Sequence, residues 1–266
     1  MPDRSIEEPG KEPPQRLRIV ADLGNSRLKW GRLDDNDQLA EVVALPLDDA
    51  SSWEDVWNRW NRHDSGGSSW SIASVNPPLV KRLSDFLNSK HNHLLTYYRS
   101  AIDVPIAHAI ENAETAGADR ALAVLGAKAL QPANAPGLVV LCGTAITVER
   151  IDGEGVWQGG AIAPGLTLSA KAMHQMTAQL PLIDPVPDPP AWGRSTVPAI
   201  RAGVYWSVVG AIRELLIRQS AGLHAKPWVV FSGGDAKVLN DSVSWQDAVL
   251  IPDLVLSGLA RVGFKE

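Results

Sequence analysis

The run Leu138, Val139, Val140, Leu141, Cys142 stops at Gly143 and Thr144, resumes as an alternating run over 145–151, and stops again at Asp152 and Gly153. Few local structures satisfy that pattern: it predicts a buried strand, a tight turn, a second strand and an Asp-Gly hairpin leading to a third. Glycine between two buried strands lets backbone come close to a ligand, and the hydroxyls of Thr144 and Thr147 lie beside it. Phosphate is the guest that such a turn suits. Taken alone, the stretch also describes an ordinary hairpin whose glycines only turn the chain.

The rest of the chain is large enough to build on this unit. Its 266 residues are 45% hydrophobic, which supports one large domain or two of ordinary size. A net charge of −5 argues against a surface made for nucleic acid or an anionic membrane. The single cysteine, Cys142, sits in an apolar strand, where a buried inert thiol is expected, and excludes an internal disulfide framework. A cytoplasmic protein fits this usage. No apolar run reaches the ~18 residues of a membrane span, and the polar stretch 1–16 is expected to be a disordered lead without a signal-peptide core.

In chain order, 17–22 reads as a strand ending at Asp22, Leu23, Gly24, Asn25 and Ser26. Two further strands, over 27–33 and 38–45, follow in antiparallel succession. An acid at the end of the first strand suits a hydrated cation held near phosphates, and it is equally a turn-capping residue. Trp53, Val56, Trp57 and Trp60 recur at helical spacing, a core-facing stripe. A strand over 70–75, a helix over 77–88 and a strand over 94–98 come next.

After a loop at 99–116, Gly117, Ala118, Asp119 and Arg120 open an alanine-rich helix. Asp119 suits that end of a helix dipole and Arg120 does not, so the pair reads as a carboxylate base beside a guanidinium fork for an anionic substrate. A capping Asp with a solvated Arg is the plainer alternative. Helices are expected over 166–180 and 197–221, the second with Thr196 as its N-cap. A strand at 226–232 then runs into Gly233, Gly234 and Asp235, another turn where phosphate or adenosine could sit. The hairpins and following elements of 17–100 are echoed in 137–266. Two similar α/β halves with facing glycine turns predict a cleft suited to phosphoryl transfer.

Six motifs in order carry a resemblance. Asp22 to Ser26, Gly117 to Arg120, Gly143 to Thr147, Gly159 to Gly165, Gly193 to Thr196, and Ser232 to Gly234 resemble the type III pantothenate kinases of the acetate and sugar kinase/Hsp70/actin superfamily. The resemblance implies an α/β fold of two actin-like, ribonuclease H-like domains around a central cleft, here 17–116 and 117–266. It implies a homodimer that transfers the ATP γ-phosphoryl group to pantothenate, the first step of coenzyme A synthesis, with Mg2+ and a monovalent cation, K+ or NH4+. An ATP-binding accessory protein of the same fold, and a relative acting on another small acid, are the other readings.

Carried over by position, Asp22 lies near the magnesium–triphosphate, and Gly24, Asn25 and Ser26 lie on phosphate. Gly143 and Thr144 cradle phosphate from the second domain. Asp119 is the general base, Arg120 with Gly117 clamps pantothenate, and Thr196 touches the acceptor. The chain departs from the family at Ser26, which replaces Thr. It departs around Ile110, where a substrate-side Tyr is missing, and at Glu149, where an Asp tied to the monovalent cation is expected.

Overall fold

The computed structural model describes residues 16–62, 67–90, 92–132 and 134–264, so all but one residue of the expected 1–16 lead lie outside the described residues. Two five-stranded sheets form its frame. The first contains β1 (Leu17–Leu23), β2 (Leu28–Leu33), β3 (Leu39–Leu45), β4 (Ser68–Ser74) and β5 (His93–Tyr98), in the order β3-β2-β1-β4-β5. The second contains β6 (Gly137–Cys142), β7 (Ala145–Ile151), β8 (Trp157–Pro164), β9 (Trp228–Ser232) and β10 (Ala248–Leu250), in the order β10-β9-β6-β7-β8. In each sheet three antiparallel strands come first, and the next two add in parallel on the far side of the first strand. The echo between the two halves is therefore a duplicated topology.

Both faces of each sheet are covered, which is why β1, β4 and β6 read as buried on both sides. Strand alternation divides their side chains. Ile19, Ala21 and Leu23 turn outward to α1 (Ala50–Trp60) and α2 (Pro77–Asn88), where Trp53, Val56, Trp57 and Trp60 pack with Trp30 and Trp70. The tryptophan stripe is core, as its spacing predicts. Each such side chain taken fully out of water contributes roughly 1.5–3 kcal/mol. On the second sheet, Leu138, Val140, Ile146 and Val148 turn outward to α4 (Leu166–Gln175), α5 (Thr196–Ser220) and α6 (Ala236–Val243).

The opposite faces share one core. Val20 and Ala73 from the first sheet, Val139 and Val230 from the second, and the apolar sides of α3 (Ala118–Lys128) and α7 (Leu254–Val262) belong to a single buried cluster. A Cβ on Gly126 would lie 2.5 Å from the Leu254 carbonyl, and one on Gly258 would lie 2.1 Å from that of Leu122. The two helices thus meet backbone to backbone between the sheets, and only glycine allows the approach. Asp22 and Lys29 follow the parity of Val20 and Leu33, and Thr147 and Glu149 that of Ile151, so all four lie on this inner side.

Several expected strand ends shift by one or two residues, as where β4 begins at Ser68 and β9 at Trp228, and two helix boundaries differ as well. The helix expected over 166–180 ends at Gln175, with His174 Nδ1 on the Leu180 carbonyl as the chain turns away. The N-cap of α5 is Ser195, and Thr196 is already the first helical residue.

Candidate active site

The turns after β1 and β6 face each other across the gap between the sheets. The first is closed by Gly24 N–H donating to the Arg27 carbonyl at 3.1 Å, the second by Gly143 N–H donating to Ala145 at 3.1 Å. Ser26 Oγ and Thr144 Oγ1 lie 2.7 Å apart, so the two turns touch hydroxyl to hydroxyl. Behind them, Gly165 N–H donates to the Thr144 carbonyl at 3.0 Å, and a Cβ on Gly165 would meet Gly143 O at 2.3 Å. Gly233, at φ +109°, packs on the Cys142 carbonyl, where a Cβ would come within 2.4 Å. These glycines let four backbone segments crowd together, leaving small residues exposed to a ligand.

The turns open on a cavity of about 320 Å³. Seven residues expected at the site line it: Asp22, Gly24, Asn25, Ser26, Asp119, Gly143 and Thr144. Arg27, Lys29, Thr147, Thr167, Asp235 and Asp253 line it too. The turn at 233–235, where phosphate or adenosine is expected, contributes Asp235. Lys29 and Asp253 carried no motif signal: a lysine within a strand reads as solvated, and an acid before a helix reads as a cap.

Electrostatics mark Asp22. Burial, reinforced by Asp119 and Asp253 and opposed by Lys29, raises its pKa from 3.8 to about 7. Burial also raises Asp119, against the pull of the Arg120 backbone N–H and the Arg120 charge. Asp119 Oδ1 accepts that N–H at 2.9 Å, and a Cβ on Gly117 would lie 2.3 Å from the same oxygen. Gly117 is therefore the N-cap of α3 and the space into which the Asp119 carboxylate folds. Burial raises Asp235 while Arg27 opposes it, and burial pushes the Cys142 thiol far up, as its place in an apolar strand predicts.

Four expected site residues do not line the cavity. Gly117 packs against the Asp119 carboxylate, and Thr196 lies exposed at the start of α5. Arg120 and Glu149 have found each other. Arg120 Nε donates to Glu149 Oε1 at 2.7 Å and Nη2 to Oε2 at 2.8 Å, while Trp157 Nε1 adds a bond to Oε2 at 3.0 Å. The bidentate face assigned to pantothenate is thus occupied by a fully buried glutamate. Glu149, where a monovalent cation is expected, has this guanidinium as the positive charge beside its carboxylate. The extra methylene of Glu over Asp gives it the reach to α3.

A family model for type III pantothenate kinase matches residues 18–218. The chain is similar to the type III pantothenate kinase of Acidiphilium cryptum, 37% identical over 255 residues, 94% of this chain and 95% of that one. It is 31% identical to that of Gluconobacter oxydans over 249 residues, 91% of each. Similarity to that of Porphyromonas gingivalis, 46% over 155 residues, spans 56% of this chain and 61% of the relative. Among solved structures, a Baf family protein from Campylobacter jejuni aligns with a TM-score of 0.57 at 19% identity, over 92% of this chain and 96% of that one. A protein assigned as a 2-dehydro-3-deoxygalactonokinase from Sinorhizobium meliloti aligns with 0.56 at 11%, over 92% and 97%. The fold is the two-domain, actin-like α/β fold of such kinases, and the chain belongs to the type III pantothenate kinase family.

Proposed function

We propose that this chain is an ATP-dependent kinase that moves the γ-phosphoryl group of ATP to the primary hydroxyl of pantothenate, the first step of coenzyme A synthesis. The observation that carries the reading is the convergence on one cavity of Asp22, Asp119 and two phosphate-type turns joined through Ser26 and Thr144. The glycine-rich turns offer backbone N–H groups and hydroxyls to phosphate oxygens from both sheets. Asp119, kept in place by the Arg120 N–H and the gap at Gly117, takes the proton of the attacking hydroxyl. The new P–O bond forms as the bond to the β-phosphate oxygen breaks, ADP leaves with the electron pair, and the proton stays on Asp119 until solvent removes it. Such a transfer asks for positioning and charge neutralisation more than for covalent chemistry.

Asp22 fits a magnesium role. A carboxyl raised to about 7 among other acids is short of positive charge, and its hard oxygens suit Mg2+. Among the described residues no three acidic, histidine or cysteine side chains would hold an ion by themselves, so the phosphates supply the remaining oxygens. Bound there, the ion would neutralise phosphate charge.

Arg120 belongs to the acceptor side through the guanidinium edge that Glu149 does not take. The family resemblance also supports a requirement for K+ or NH4+, with the Glu149 carboxylate, shared with Arg120, at the expected position. A cytoplasmic homodimer completes the reading, supported by apolar side chains left exposed on and after α4, including Met176, 84% exposed, and Trp192, 74% exposed. In such a dimer Thr196, outside its own cavity, would serve the acceptor of the second copy. No helix among the described residues is long and apolar enough to cross a membrane.

One assay tests the reaction. Purified protein with ATP, Mg2+ and K+ is given pantothenate, then a panel of other hydroxy acids, and ADP release is followed. Release that depends on pantothenate supports the reading. Release with another acid alone makes the chain a relative of different substrate, and ATP binding without release makes it an accessory protein.

A further inference from the structure

Asp253 begins α7 and spends its carboxylate elsewhere. An Asp at a helix N-cap ordinarily accepts from a backbone N–H two or three residues on, yet Asp253 makes no such bond. Its Oδ1 instead takes Lys29 Nζ at 2.6 Å, 224 residues away in sequence. The backbone of Asp253, at φ 57° and ψ 36°, is left-handed, a conformation that Asn and Asp bear better than other residues with a side chain. A cap bond and a relaxed backbone are both given up at the residue whose carboxylate reaches the cavity.

Its surroundings hold Asp253 still. Leu254 and Leu256, just after it, are fully buried, and α7 is keyed backbone to backbone against α3 at Gly126 and Gly258. Since α3 carries Asp119 in its first turn, the helix that places Asp253 is indexed to the one that places the base. Lys29 sits directly across from Asp22 in the β1–β2 register, on the same face. Both partners of the ion pair are about one-fifth exposed, at 22% and 21%, with the cavity as their open side.

We propose that Asp253 is a positioning residue for the phosphoryl transfer described above: it holds the Lys29 ammonium in the cavity beside Asp22. The proposal rests on that functional reading and deepens it. A lysine ammonium is a point charge on a flexible four-carbon stem, and it stabilises charge developing on a phosphoryl group only where it is already located. Asp253 supplies the location from the second half of the chain, through a helix fixed to the base-bearing helix, and it touches no substrate itself.

A double-mutant cycle tests this. Asp253→Asn keeps the size of the side chain and suits the left-handed backbone while removing the charge, and Lys29→Met removes the partner. With Mg–ATP and pantothenate, Asp253→Asn is expected to lower kcat at least about 10-fold, with KM for pantothenate within about twofold, and to change kcat less than about twofold in the Lys29→Met background. Equal losses in both backgrounds, or no loss with Lys29 present, overturn the proposal. Asp253→Glu enters the same cycle if the Asn variant does not fold, with coupling to Lys29 supporting the proposal and additivity overturning it. The cycle is also read by calorimetry on Mg–ATP affinity, where coupling of at least about threefold is expected. If the unaltered protein leaves pantothenate untouched, the functional reading fails, and this second readout still decides whether Asp253 places Lys29 for the nucleotide.

Discussion

Arg120, the second charged residue of α3, donates through Nε and Nη2 to both oxygens of Glu149 on β7, 29 residues on, in a pair where Glu149 is fully buried and Arg120 is 15% exposed. The guanidinium lies over the Trp157 ring, 5.4 Å from its centroid, and the same indole donates to Glu149. The pair ties the start of α3 to the second sheet one residue from Asp119. Glu149→Gln would leave a largely buried guanidinium without its counter-charge, a change that typically costs about 3 kcal/mol or more. Urea denaturation should register that loss in Glu149→Gln and a smaller one in Glu149→Asp, whose shorter arm cannot meet both nitrogens as well. If both variants match the unaltered protein, the pair does not support α3.

Gly117 should separate stability from activity. Its φ of −61° is open to any residue, so alanine meets no backbone strain there. The added Cβ would fall 2.3 Å from Asp119 Oδ1, and the movable carboxylate is what yields. Gly117→Ala is expected to keep its melting temperature within about 3 °C while kcat drops on the order of 100-fold, the effect of a displacement near 1 Å at a reacting group. Unchanged turnover would mean that Asp119 works from another rotamer.

Much of this architecture was legible because local pattern and tertiary role agree. Turn residues between the apolar runs of 17–45, and the alternation over 145–151 after the apolar run 138–142, marked the hairpins, and the tryptophan spacing of 53–60 marked a helix face that packs as expected. Asp22, Asn25, Ser26 and Thr144 are ordinary turn residues one at a time, and they stood out because several such turns recur in one order along the chain. The partner of Arg120 was not legible, because it depends on which face of β7 Glu149 occupies and on how α3 lies against the second sheet. Lys29 and Asp253 were hidden for a related reason: their meaning lies in a contact 224 residues long, and each looks ordinary within its own segment.

Asp119→Asn tests the base directly. The amide keeps the shape of the side chain and can still accept the Arg120 N–H, but it cannot take a proton. Turnover is expected to fall about 10²–10⁴-fold, with Mg–ATP affinity by calorimetry within about threefold of the unaltered protein. A variant that keeps more than half of kcat removes Asp119 from the role.

Asp22 ties stability to pH with a definite sign. In the folded chain its carboxyl holds a proton up to about pH 7, whereas in the unfolded chain it releases that proton near 3.8. Between those values the folded state binds more protons, so the contribution of this residue to stability falls as pH rises from about 4 to about 7 and stays at its lowest above that. The difference corresponds to at most about 4 kcal/mol, and solvent in the open cavity reduces it. Asp22→Asn removes the buried charge, so without Mg2+ or nucleotide the variant should gain stability over the unaltered protein at pH 8 and gain little at pH 4. Activity should move the other way, since the charged carboxylate is what meets Mg–ATP: kcat/KM for ATP is expected to rise through a limb near pH 7, and Asp22→Asn should lose most of its turnover at every pH. Thermal melts at pH 4 and pH 8 check the first part, and a gain of equal size at both values would show that Asp22 is charged throughout and that its neighbours do not hold its proton.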